Sequence, residues 1–273
     1  MNFSHNDLIN PIDSKFLKMV KIIDHETGSN YFLIGATARD FTFYNIYGLD
    51  LSERATADVD IAVCIENWEQ YAKLKTRLMH KHSFIDEPEQ MQRLISPSGI
   101  PIDLIPFGDV ASGTDIFWPE SGSVMSVACY ENAKDKCNSI QYPDFTLNLV
   151  SIEMFISLKL VAWDSRNALK DLKDFVYVVE NYHLIPNIVN QIYELKLDQK
   201  FTNIKDMTAA ALAYNMKQAL DQNSKETVIS ILDRGLSQTE RSPLVRRMKN
   251  VLPPHSFPET RKFLEMFHHE LKY

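Results

Sequence analysis

Asp58-Val59-Asp60 begins 23 residues after Gly35 and runs into Ile61, Ala62 and Val63, so two acids sit in what is otherwise an apolar segment. Strand side chains alternate, which puts both carboxylates on one face and Val59, Ile61 and Val63 on the other. A third acid, Asp103, interrupts Ile100-Pro101-Ile102-Asp103-Leu104-Ile105. Three carboxylates gathered on one sheet face repel each other, and such a face is expected to hold cations. An all-oxygen donor set suits Mg²⁺, and Mg²⁺ on carboxylates beside a glycine turn points to phosphate chemistry.

The pattern around these acids predicts alternating strands and helices up to about residue 150. Residues 13–27 have helical spacing and end near Gly28; Tyr31-Phe32-Leu33-Ile34 is a short buried strand stopped by Gly35. A helix from about Thr37 to Tyr47, a strand from Asp58 to Ile65 and a helix from Asn67 to Lys81 follow. Arg93-Leu94-Ile95 and Ile100 to Ile105 flank Ser96-Pro97-Ser98-Gly99, which reads as a hairpin. Val124 to Val127 and Asn138 to Gln141 are further strands, with a turn or short helix over Ala128 to Lys136.

Beyond residue 150 apolar residues recur every three or four positions. Helices are expected from Ser151 to about Trp163, from about Asn167 to Tyr182, and after Pro186. More follow over Met207–Leu220, Lys225–Leu236, Leu244–Leu252 and Pro258–Leu271, with Pro253-Pro254 as a connector. The expected architecture is α/β (α+β): a mixed sheet with flanking helices over residues 1–150, then a helical bundle over 151–273, with the active site in the cleft between them.

Composition narrows the class. No apolar stretch approaches the roughly 20 residues of a membrane span, and the first residues lack the basic and apolar regions of a signal peptide. Cys64, Cys129 and Cys137 form no CxxC pair, which argues against a disulfide framework or a zinc site. A reducing cytoplasm is the expected compartment. The net charge of −7 is unevenly spread: residues 1–150 carry 12 Lys and Arg against 21 Asp and Glu, residues 151–273 carry 17 against 15. That asymmetry allows an acidic half holding metals and a mildly basic half meeting phosphates, although chance variation produces it too.

Ile34-Gly35-Ala36-Thr37, Asp58-Val59-Asp60 and Asp103 thus fit strand–turn–helix, strand, strand. The glycine turn lets backbone approach a triphosphate, and the paired aspartates would hold two Mg²⁺ ions, with Asp103 completing the second site and accepting a proton. This set resembles the nucleotidyltransferase superfamily related to DNA polymerase β. More closely, Gly35-Ala36-Thr37-Ala38-Arg39-Asp40, Arg54-Ala55-Thr56-Ala57-Asp58-Val59-Asp60-Ile61-Ala62-Val63, Ile102-Asp103-Leu104-Ile105-Pro106-Phe107 and Trp118-Pro119 resemble the AbiEii-type abortive-infection nucleotidyltransferases. The likeness extends through Lys159-Leu160-Val161-Ala162-Trp163-Asp164-Ser165-Arg166 and Lys170-Asp171-Leu172-Lys173-Asp174, so it covers roughly residues 30–182.

The resemblance implies transfer of a nucleoside monophosphate from an NTP to an acceptor hydroxyl, with two Mg²⁺ ions for which Mn²⁺ can substitute. It also implies the 3′ end of tRNA as acceptor, inhibition of translation as outcome, and an antitoxin protein as partner. A small-molecule acceptor, as in antibiotic-modifying enzymes, and a non-catalytic nucleotide-binding module are the alternatives. One departure is Ala36, where the superfamily turn carries Ser or a second Gly; Thr37 or backbone N–H groups would take over its contact to phosphate.

Four cations extend the expected site. Lys159 lies in an apolar segment where a cation needs a partner, and the family motif assigns it to the triphosphate. Lys159, Arg166, Lys170 and Lys173 share one stripe if their helix is continuous, and could meet triphosphate or an RNA backbone; the plainer reading is a solvated face paired with Asp171 and Asp174. Arg39 and Arg54 are candidate orienting residues, Arg54 either binding phosphate or bracing the aspartates. Arg241, Arg246, Arg247 and Lys249 form a basic cluster that reads as an RNA-contact patch or a solvated helix face. His268-His269 reads as a surface pair.

Overall fold

The structure, a computed structural model, describes residues 1–9, 12–51, 58–237, 242–252 and 256–273. Arg54, Arg241 and the Pro253-Pro254 connector lie outside the described residues. The chain divides into two compact units, Met1–Ser151 and Ile152–Tyr273.

Among the described residues the first unit carries the strands β1 (Asn2–Ser4), β2 (Tyr31–Ile34), β3 (Val59–Cys64), β4 (Ile85–Asp86), β5 (Arg93–Ile95), β6 (Pro101–Phe107), β7 (Asp115–Phe117), β8 (Val124–Ser126), β9 (Asn138–Gln141) and β10 (Thr146–Leu149). Its helices are α1 (Ser14–Thr27), α2 (Gly35–Phe41), α3 (Trp68–His82) and α4 (Tyr130–Asp135). Eight strands form one sheet in the order β1-β9-β10-β2-β3-β6-β5-β4, while β7 and β8 make a separate hairpin. The sheet is mixed: β3 and β6 run parallel, whereas β2 with β3 and β5 with β6 run antiparallel.

Local chemistry sets these boundaries. Asp13 accepts from the Lys15 amide to start α1, and Gly28 ends it in the left-handed region at φ 59°. Asn67 accepts from the Gln70 amide to start α3, worth about 1 kcal/mol as an N-cap. The α2 helix begins at Gly35 itself, two residues before the sequence expectation, and passes into a wide π-type turn over Thr42–Ile46. Strands β1 and β10 escape the periodicity reading because they are short and part polar, Asn2-Phe3-Ser4 and Thr146-Leu147-Asn148-Leu149.

The sheet is centred on β2, β3 and β6, where every residue of β2 and all but the first of β6 are buried. Phe32, Phe107 and Tyr130 pack on one another, with Phe32 and Phe107 edge to face at 5.5 Å. Tyr71 donates to the Leu104 carbonyl at 3.0 Å, tying α3 to β6; burial pushes its phenol well above the ordinary range. Glu26 joins α1 to α3 by accepting from Arg77 Nε at 2.6 Å and lying 2.9 Å from His82 Nε2 and 3.7 Å from Lys81 Nζ.

The second unit is helical: α5 (Ile152–Arg166), α6 (Leu169–Asn181), α7 (Ile188–Glu194), α8 (Leu197–Lys200), α9 (Ile204–Ala219), α10 (Gln222–Leu236), α11 (Pro243–Lys249) and α12 (Phe257–Lys272). Helix α5 is buried on nearly every side and touches α6, α9 and α10, so it is the bundle's central element. The run Ala209 to Ala213 on α9 is fully buried, and its small residues let α12 approach. Gly235 on α10 serves the same end, since a Cβ there would stand 2.8 Å from Leu244. Ser256 and Glu259 close a reciprocal capping box at the start of α12. Among the described residues, no helix is long and apolar enough to cross a membrane.

Candidate functional site

Strand register brings the sequence-selected acids together. Asp60 on β3 pairs with Asp103 on β6, Asp60 also opposes Ile34 at the end of β2, and Asp103 opposes Arg93 on β5. Ile34, Asp60, Asp103 and Arg93 therefore form one row across four adjacent strands, and residues in such a row face the same way. Asp58 precedes Asp60 by two and shares that face. Asp103 is buried, while the Asp58 side chain is 37% exposed.

Gly35 packs directly against the row. Its φ is +71°, and a Cβ at this position would lie 1.9 Å from Asp60 Oδ2 and 2.8 Å from Asp60 Cγ. Only a residue without a side chain permits that approach. Thr37, expected to stand in for a phosphate-binding serine, donates its hydroxyl to the Asp58 carbonyl at 2.8 Å. Its proton is thus committed to the main chain, and Thr37 fastens the glycine turn to the start of β3. Ala36 is half-buried beside it.

Arg39 does not look outward as a substrate-binding residue would. Its side chain is 5% exposed, and its guanidinium pairs with Asp40 at 2.6 and 2.7 Å. Arg39, expected as an orienting residue, is thus a buried cation in an ion pair with the partly exposed Asp40 on α2. Arg54 lies outside the described residues.

The residue that sequence reasoning missed is Arg93. Its Nε donates to Asp103 Oδ1 at 2.7 Å and its Nη2 to Asp103 Oδ2 at 2.9 Å, a two-pronged grip on one carboxylate. The same Nη2 donates to Asp58 Oδ2 at 2.9 Å, and Glu87 stands 3.9 Å from Nε. The hydrogen bond to Asp103 holds the guanidinium even more firmly protonated than usual. One cation thus answers two carboxylates of the row. The signal was in the hairpin: Ile95 closing on Pro101 places Arg93 opposite Asp103 two steps further along.

Three hard-oxygen donors on one face suit Mg²⁺ in kind, and the close approach of Gly35 to Asp60 leaves main chain beside them. In spacing the match is incomplete. Among the described residues no three His, Cys, Asp or Glu side chains are gathered closely enough to hold an ion. Arg93 stands between Asp58 and Asp103, so carboxylates and guanidinium are held at hydrogen-bond separation.

In the helical unit the expected cation stripe does not form. Helix α5 stops at Arg166, Asn167 takes a left-handed φ of 51°, and α6 starts at Leu169. Lys159 lies 2.5 Å from Asp174 and 3.8 Å from Asp171, and Arg166 grips Asp171 with two nitrogens at 2.8 and 2.5 Å. Lys159 and Arg166 therefore converge on the two buried acids: the pairing with Asp171 and Asp174 is the plainer reading's, but around Lys159 it is buried and not a solvated face. Lys170 and Lys173 are exposed on the outer side of α6. Arg246, Arg247 and Lys249 are likewise exposed, opposite the buried Leu244, Val245 and Met248 of α11. His268 is not a surface residue: it is half-buried, 3.1 Å from Asp233, and burial lowers its pKa.

No protein-family model matches the chain, and no curated protein matches it.

Proposed function

We propose that this chain is a divalent-metal-dependent nucleotidyltransferase of the AbiEii-like kind. The observation that carries the reading is the row in which Asp60 and Asp103 lie side by side, with Asp58 on the same face and Gly35 packed against Asp60. Asp58, Asp60 and Asp103 would hold Mg²⁺ or Mn²⁺, which when bound supplies charge neutralisation for the triphosphate and acidifies the attacking hydroxyl. The Gly35–Ala36 main chain offers a place for phosphate oxygens to come close. The acceptor oxygen bonds to the α-phosphorus as the bond to the β-phosphate oxygen breaks; pyrophosphate leaves, and the hydroxyl proton passes to a carboxylate. Arg93, bound to both Asp103 oxygens, favours the ionised carboxylate, so Asp103 fills that last role more readily once Arg93 loosens. By resemblance the nucleoside monophosphate is joined to the 3′ end of tRNA, and an antitoxin would oppose the resulting block on translation.

Arg93 also favours a second reading, a nucleotide-binding module without turnover, since a neutralised acid pair needs no metal. Incubation with total RNA and each α-labelled NTP in Mg²⁺ separates the two. Label on tRNA from the wild type and none from Asp58→Ala supports the transferase. NTP binding by calorimetry with no label transferred and no pyrophosphate released supports the module.

A further inference from the structure

We propose that Arg93 is the resident counter-ion of the carboxylate row, and that a divalent cation binds Asp58 and Asp103 only by displacing it. The inference rests on the reading above that these acids hold a divalent cation.

Backbone pairing, and not a flexible loop, puts Arg93 there: β5 and β6 set it directly across from Asp103. Its fork engages both oxygens of Asp103 and one of Asp58, so the groups that would ligate a metal are the groups it already binds. Carboxylate oxygens have lone pairs enough for two partners, but a guanidinium and a divalent ion on one carboxylate repel at a few ångströms in a half-buried setting. The side chain of Asp103 is 12% exposed and that of Arg93 20%, so water screens that repulsion poorly. Binding of the two cations is therefore linked: whatever the ion loses to Arg93, Arg93 loses to the ion. A neutral residue at position 93 should tighten metal binding while loosening the metal-free protein. Purely structural loss would do the opposite, weakening metal binding by disordering its ligands.

The test is titration of the full chain with Mn²⁺ alone, reading free Mn²⁺ by its paramagnetic resonance, in wild type, Arg93→Gln and Arg93→Lys. Arg93→Gln should bind Mn²⁺ about 10-fold more tightly, within the usual span of linked sites. Its melting temperature should fall in chelator and recover with Mn²⁺ more than the wild type's rises. Asp58→Asn in each background should abolish the titrated site. Equal or weaker Mn²⁺ binding in Arg93→Gln overturns the proposal, as does a site that survives Asp58→Asn. If Arg93→Gln does not fold without metal, Arg93→Lys decides, because lysine keeps the charge but cannot fork. A gain in its affinity of about 3-fold or more supports displacement, and no gain overturns it. Label transfer by the wild type with unchanged Mn²⁺ affinity in both variants sinks this inference and leaves the proposed function standing. No Mn²⁺ binding by any of the three chains sinks both.

Discussion

The carboxylate row of the sheet unit and the ion-pair cluster of the helical unit are both built from half-buried or buried charges, yet their balances differ. In the helical unit Lys159 and Arg166 meet Asp171 and Asp174, two cations for two acids. In the sheet unit one guanidinium, that of Arg93, binds both Asp103 and Asp58, with Glu87 at its margin, among the described residues. Paired one to one, buried charges hold helices together; one guanidinium shared by two carboxylates on a sheet face is a contact that an outside ion can compete for. By that measure the sheet unit carries the better candidate for chemistry, and Lys159 is better explained as structure.

The largest test of the contrast is Lys159→Met. It removes the ammonium 2.5 Å from the buried Asp174, while Asp171 keeps Arg166, and should cost about 3 kcal/mol in denaturant unfolding while Mn²⁺ binding stays unchanged. Loss of Mn²⁺ binding there would restore Lys159 to the functional site. Gly35→Ala comes next: backbone strain at φ +71° costs about 1–3 kcal/mol, and the methyl must push Asp60 aside. Here stability and Mn²⁺ binding should fall together.

Glu26 sharpens the comparison from the opposite side, one carboxylate among Arg77, Lys81 and His82. Its bond with His82, helped by Arg77, lowers its pKa below the ordinary 4.5. A carboxylate depressed in the folded state stabilises fully above its unfolded pKa, and that contribution disappears as pH falls through the folded value. Glu26→Gln should therefore lose about 1 kcal/mol at pH 7, and the gap to wild type should narrow as pH falls below the ordinary carboxylate range when melting is followed across pH. The smallest effect belongs to Asp58→Asn. Asp58 is partly exposed and takes one of the Arg93 bonds, while Asp103 keeps its two, so stability should move by no more than about 0.5 kcal/mol. A larger loss would mean that the row is as self-contained as the helical cluster.

Much of this was legible in the chain because strand alternation and register are geometric. The face shared by Asp58 and Asp60 follows from spacing alone, and the apolar run around Asp103 marks it as a strand beside theirs. The glycine turn was legible as a turn, but its reason was not: proximity to the Asp60 carboxylate is a tertiary fact. Arg93 escaped because a three-residue strand carries little periodicity, so its partner was visible only through the register of the hairpin. The Lys159 stripe failed at Asn167, whose left-handed backbone separates α5 from α6 close to the break that the sequence places between Trp163 and Asn167. The burial of Arg39 against Asp40 was not legible either, since spacing alone does not tell which face of a short helix packs inward.

The row across β2, β3, β6 and β5 turns the five residues between Ile95 and Pro101 into a measuring device. Swapping side chains in Ser96-Pro97-Ser98-Gly99-Ile100 leaves that length intact. Adding or deleting one residue offsets β5 against β6, carrying Arg93 away from Asp103 and toward the opposite side of the sheet. Beyond Gly99 at φ +82° and the buried Ser96, the bend can be respelled, but it cannot be lengthened by a single letter without uncoupling the guanidinium from the acids it guards.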